Sequence, residues 1–139
     1  MKVVLYLRVS TDSQDYNRQK EELTEYCNKQ GFEIVSIFAE KITGKKKSKD
    51  RPELSRMIEY VKSNDVNKVV VWEVSRLGRS LMDVLNTIEL LNKECISLFI
   101  KNWNVETLDE NCNPNPMSNL MLQILTSVAE LETNVIRQR

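Results

Sequence analysis

The chain has 139 residues, enough to bury one core without disulfides or a structural metal. Twenty Lys and Arg balance twenty Asp and Glu, so bulk charge gives no attraction to nucleic acid, and such a partner must be met by a local cluster. There is no histidine, and the three cysteines are widely spaced with no CxxC pair, which excludes Ser-His-Asp hydrolysis and argues against a disulfide framework or a zinc site.

Residues 2–9 (KVVLYLRV) are apolar and β-branched, which predicts a strand buried on both faces. The chain leaves it at the polar cluster Ser10-Thr11-Asp12-Ser13. A helix is expected over about 14–30, with Leu23, Tyr26 and Cys27 on one face and Gly31 as its stop. Residues 32–39 read as a second strand. The basic stretch 41–51 lacks apolar periodicity and reads as a loop. Pro52 then opens a helix whose Leu54, Met57, Ile58 and Val61 form one stripe.

A third strand is expected over 68–74, carrying Trp72 into the core. The loop Ser75-Arg76-Leu77-Gly78-Arg79 follows it, with Ser80 as N-cap of a helix whose inner face is Leu81, Leu85, Ile88 and Leu91. Residues 96–100 are a fourth strand, and 104–107 a short extra one. Trp103 falls in the polar stretch 101–116. From about Met117 to Arg139 there is no Gly or Pro, and Met117, Met121, Ile124, Val128, Leu131 and Val135 step in a heptad rhythm. The cysteines are expected as small buried hydrophobes. No apolar run is long enough to cross a bilayer, so the default expectation is a cytoplasmic protein without a membrane partner.

Alternating strands and helices imply an α/β fold: a mostly parallel central sheet of four to five strands flanked by helices, with a long C-terminal helix. Function in such sheets gathers beyond the carboxyl ends of the strands. Arg8 and Ser10 fall there after the first strand, and 75–79 after the third. Arginine offers a planar fork of donors matched to phosphate oxygens and keeps its charge. Arginines around a serine hydroxyl suit phosphoryl transfer, where the protein positions the group and neutralises its oxygens.

These residues carry a family resemblance. Tyr6-Leu7-Arg8-Val9-Ser10-Thr11, Gln19, Arg51-Pro52, Ser75-Arg76-Leu77-Gly78-Arg79 and Val128-Ala129-Glu130-Leu131-Glu132 occur in the order of the resolvase/invertase family of serine site-specific recombinases. The chain resembles the catalytic domain of that family over its whole length. The resemblance implies Ser10 as a nucleophile forming a 5′-phosphoserine link to DNA. Arg8, Arg76 and Arg79 would hold the scissile phosphate, with Arg51 reaching the same site and Gln19 positioning the nucleophile. Lys45, Lys46, Lys47 and Lys49 would guide double-stranded DNA. Met121, Ile124, Val128, Leu131, Glu132 and Val135 would form the interface of a homodimer and a synaptic homotetramer. No metal or other cofactor is implied, because the phosphoserine bond conserves the energy of the diester.

Two departures stand out. Ser75 occupies the place where small resolvases have Asp before Arg76, and Thr133 and Asn134 follow Glu132 where basic residues are usual. No general base for Ser10 is identifiable from the sequence. The helical pattern runs to Arg139, so residues 1–139 are expected to be one catalytic domain whose last helix leads towards a DNA-binding region. The competing readings are a catalytically idle oligomerisation module of a mobile-element protein and a small α/β phosphatase. The second lacks the Cys-x5-Arg loop and the carboxylate cluster it would need.

Overall fold

The computed structural model describes residues 1–9, 13–41, 52–73 and 81–137, without the side chains of Ser13, Leu81, Ala129 and residues 132–137. Among these residues the elements are β1 (Lys2–Val9), α1 (Ser13–Gln30), β2 (Glu33–Lys41), α2 (Pro52–Ser63), β3 (Lys68–Val71), α3 (Leu81–Lys93), β4 (Ser97–Ile100), β5 (Val105–Glu106) and α4 (Pro116–Arg137). The sheet order is β2-β1-β3-β4-β5. The first four strands are parallel neighbours, and β5 returns antiparallel against β4. The turn between them places Asn104 at a φ of 54°, a left-handed conformation that asparagine tolerates.

β1 lies between two cores, and its alternation decides which residue serves which. Val3, Leu5, Leu7 and Val9 join Leu23 and Cys27 of α1. Val4 and Tyr6 join Leu54, Met57 and Val61 of α2 and Val84, Ile88 and Leu91 of α3. A strand buried on both faces needs apolar side chains at odd and even positions alike, as in the run that opens the chain.

Gly31 ends α1 as expected. Its φ of +74° lets its N–H reach the Asn28 carbonyl (3.2 Å) while the Phe32 N–H reaches Cys27 (2.9 Å). Pro52 opens α2, and the Glu53 N–H donates to the Glu40 carboxylate at 2.8 Å, so an anion from the end of β2 seats the helix N-terminus.

Two expectations about the helices and strands are revised. β3 stops at Val71, and Trp72 lies just past it, half-buried against the α1-side core. On α3 the inner face runs through Val84, Ile88 and Leu91, with Leu85 only half-buried, because the helix is rotated slightly from the predicted stripe. Ser80 and the side chain of Leu81 lie outside the described residues. Trp103 is partly exposed on the β4–β5 turn.

The cysteines are the largest revision. Cys27 is a free, buried thiol, but Cys95 and Cys112 form a disulfide. Cys95 caps the end of α3 with a φ of 56°, and Cys112 sits in the segment before α4 with a φ of 67°. The antiparallel return of β5 brings that segment back to α3.

Candidate active site

β1 and β3 are adjacent and parallel, in register from Val3 with Lys68 to Leu5 with Val70. The chain therefore leaves both strands on the same side of the sheet. Beyond Leu5, β1 continues to Val9 paired with β2, where Arg8 lies opposite Glu40 and Val9 opposite Lys41. The far half of β1 thus forms a ledge next to the exit of β3.

Arg8 sits on this ledge, half-buried. Gln19, only 2% exposed on α1, reaches across and donates from Nε2 to the Arg8 carbonyl at 3.3 Å. Its Oε1 is buried and has no hydrogen-bond partner among the described residues. An amide with one end bonded to the residue two before Ser10 and the other end idle keeps an acceptor available at the end of β1. Ser10, Arg51, Arg76, Arg79 and the lysines 45, 46, 47 and 49 lie outside the described residues.

Glu40 was not singled out by sequence reasoning. It is 5% exposed, opposite Arg8 in register, and holds the first turn of α2. The described residues flanking the basic segment, Glu40 on one side and Pro52-Glu53 on the other, are therefore fastened together beside Arg8. The available signal was a lone carboxylate closing an apolar strand, just before a basic run and a Pro-initiated helix. Among the described residues no group of three or more acidic or thiol side chains is arranged to hold a metal.

At the opposite, amino-terminal end of the strands lies an open groove of about 980 Å³, lined by Tyr26, Phe32, Lys68 and Glu106 among others. Lys68 is 3% exposed; its ammonium pairs with Glu106 and lies 4.5 Å from the centre of the Phe32 ring. Ser97 donates to Glu106 at 3.4 Å, and the Leu98 N–H to Thr107 Oγ1 at 2.9 Å. These contacts fasten β5 to the sheet. Burial pushes the Cys27 thiol up to about 11, with the positive charge of Lys68 opposing it, and pushes the Tyr26 hydroxyl up to about 12.

α4 packs on α3 and β5, and its Leu122 and Leu125 cover the α2/α3-side core. Met121 is half-buried, while Ile124, Val128 and Leu131 are 55%, 39% and 63% exposed. The side chains of Glu132 and Val135 lie outside the described residues. The helix thus has one apolar face against the domain and a second turned outward. No helix among the described residues is long and apolar enough to cross a membrane.

A mostly parallel α/β sheet with an arginine-bearing ledge at its carboxyl edge, and an outward apolar helix, defines the class of domain. The chain belongs to the resolvase family: the family model for the resolvase N-terminal domain matches residues 3–139. It is 34% identical over 137 residues to a resolvase of Clostridium perfringens (strain 13 / Type A), covering 99% of this chain and 67% of the relative. It is 34% identical over 135 residues to the transposon Tn552 DNA-invertase BinR of Staphylococcus aureus, covering 96% and 62%. The chain thus spans a little under or about two thirds of the length of these relatives. Among solved structures, the N-terminal catalytic domain of TP901-1 integrase matches with a TM-score of 0.76 at 28% identity, over 97% of this chain and 98% of that one. A resolvase family site-specific recombinase from Streptococcus pneumoniae matches at 0.78 and 29%, over 99% and 91%.

Proposed function

We propose that this chain is the catalytic domain of a site-specific recombinase that cuts and rejoins double-stranded DNA through Ser10. The Ser10 oxygen attacks a backbone phosphorus, the bond from phosphorus to the 3′ oxygen breaks, and that oxygen leaves with a proton as a 3′ hydroxyl. The 5′ phosphate stays on Ser10 as a diester, so a 3′ hydroxyl from another strand can reverse the step. Arg8, Arg76 and Arg79 neutralise the phosphate oxygens. The observation that carries the reading is the parallel pairing of β1 with β3, since it sends the segments bearing Ser10 and Arg76 out of neighbouring strands in one direction.

Arg51 belongs to the same site, supported by the anchoring of Glu53 to Glu40 beside Arg8. Gln19 holds the end of β1 and offers its free Oε1 to the Ser10 segment. The lysines 45, 46, 47 and 49 attract the DNA backbone. Met121, Ile124, Val128, Leu131, Glu132 and Val135 serve the contacts of a dimer and of a synaptic tetramer, supported by the exposed apolar face of α4. A DNA-binding region beyond residue 139 supplies site recognition.

The test is a trapped intermediate. Full-length protein on a suicide form of its recombination site yields a covalent adduct at the 5′ end, absent with Ser10→Ala. An adduct that persists in that variant overturns the assignment. The outward face of α4 also fits an idle oligomerisation module, a reading that any cleavage by the intact protein removes.

A further inference from the structure

The Cys95–Cys112 disulfide joins two segments of unequal footing. Cys95 is set in the body of the domain. Its N–H bonds to the Asn92 carbonyl (3.0 Å), and the Ile96 N–H bonds to Leu91 (2.9 Å), closing the end of α3. Ile96 then enters the core.

Cys112 stands on a segment that is closed mainly on itself. The Asp109 carboxylate accepts from the N–H groups of Asn111 and Asn113, both at 2.9 Å. The Asp109 N–H donates to Asn113 at 2.8 Å, and the Cys112 N–H to Asp109 at 3.1 Å. Asp109, Glu110, Asn111 and Asn113 are exposed. The disulfide ties this knot sideways to α3.

The knot leads directly into α4. The Asn115 side chain accepts from the Met117 N–H at 3.0 Å, and its carbonyl accepts from Asn119 at 2.9 Å. Asn115 is thus the N-cap of the helix with the outward apolar face. What steadies residues 109–113 therefore also steadies the start of α4.

The bond is also reachable. Cys95 is exposed, Cys112 is half-buried, and both line the open groove at the amino ends of the strands. Exposed disulfides are open to attack by a thiolate, whereas the buried Cys27 thiol, with its raised pKa, stays out of the exchange.

We propose that Cys95–Cys112 is a reversible thiol–disulfide clamp on the amino-terminal turns of α4. A dithiol reductant opens it. One thiolate attacks the exposed Cys95 sulfur, and Cys112 leaves as a thiolate and takes up a proton. The second thiol of the reductant then displaces Cys95, which is protonated in turn. Two electrons and two protons pass to the protein, and the reductant becomes a cyclic disulfide. A small-molecule disulfide, reduced to two thiols, closes the clamp again. Opening leaves residues 109–113 held by their own hydrogen bonds and by the neighbouring Leu108–Pro114 bridge and the Asn115 N–H to Thr107 bond (3.1 Å), without the sideways tie to α3, and loosens the first turns of α4. This conformational effect stands whether or not the chain cuts DNA.

The experiment follows amide hydrogen exchange of the chain in glutathione disulfide and in dithiothreitol, with free thiols counted by alkylation of the unfolded protein. One thiol is expected in the first condition and three in the second. Exchange over 109–121 should rise about tenfold on reduction, with β1 and β3 unchanged. A Cys95→Asn, Cys112→Asn variant, whose asparagines suit the left-handed backbone, should exchange at the faster rate in both buffers. Three thiols in glutathione disulfide, unchanged exchange after full reduction, or a reductant effect that survives in the double variant each overturn the clamp.

Discussion

The Gln19 side chain, rooted on α1, donates to the backbone carbonyl of Arg8 at the end of β1. This bond ties the ledge to the α1 layer. Gln19→Ala removes the donor and leaves a small void, at a cost of about 1–3 kcal/mol. Gln19→Glu keeps the size but brings a carboxylate oxygen against the carbonyl, so it should destabilise at least as much. Both should lower the yield of the DNA adduct. Urea unfolding and adduct yield check this; a Gln19→Glu variant with an unchanged midpoint and normal cleavage would show that the bond holds nothing.

The Lys68–Glu106 pair is expected to behave asymmetrically. Lys68 is almost fully buried, while the Glu106 side chain is 32% exposed. Glu106→Ala strands a buried ammonium and should cost about 3 kcal/mol or somewhat more. Replacing both partners by Met and Leu should come out near neutral, because two desolvated charges are removed together. Denaturant midpoints of the two variants distinguish these outcomes, and a double variant no more stable than Glu106→Ala would contradict them.

Ile124 is 55% exposed on the outward face of α4. Ile124→Glu should change the stability of the isolated domain by no more than about 0.5 kcal/mol. It should weaken self-association by placing charge inside an apolar contact. Sedimentation over a concentration series reads this directly. Unaltered association would move the interface off this face.

Stability should fall in alkali. The folded chain holds the Cys27 proton up to about pH 11, whereas its ordinary value is 9.0. Between those limits the unfolded chain loses a proton that the folded chain keeps, so unfolding is favoured as pH rises. The stabilisation is complete below pH 9 and amounts to roughly 2–3 kcal/mol lost by pH 11. Tyr26, raised from 10.0 to about 12, extends the loss upward. Cys27→Ala should flatten the lower part of this profile in thermal melts. An unchanged slope would assign the loss to other groups.

Much of the architecture was readable from local signals. The apolar run before Arg8, Gly31 after a helical stripe and Pro52 ahead of another each obey a short-range rule, and the structure places β1, the end of α1 and the start of α2 accordingly. What escaped depends on partners distant in sequence. Lysine ordinarily stays in water, and only the return of β5 supplies the carboxylate that allows Lys68 inside. The same return pairs Cys95 with Cys112, which no spacing announced. Glu40 was overlooked because its role is set by its register with Arg8 and by Glu53, thirteen positions further on. Arg8 and Gln19 were singled out because the motif and the strand end coincide there, and the structure brings the two together through one hydrogen bond.

β5 is only two residues long, and it closes the sheet on the α4 side. An edge that short offers too few free N–H and C=O groups for another chain to add as a strand. Any association on that side would then run through side chains, chiefly those of α4. Backbone ladders lock two chains residue by residue, whereas interdigitated side chains can part and re-seat against a new neighbour without disturbing either sheet. With so stunted an edge, any contacts made on this side would be exchangeable and sensitive to the composition of a single helix face.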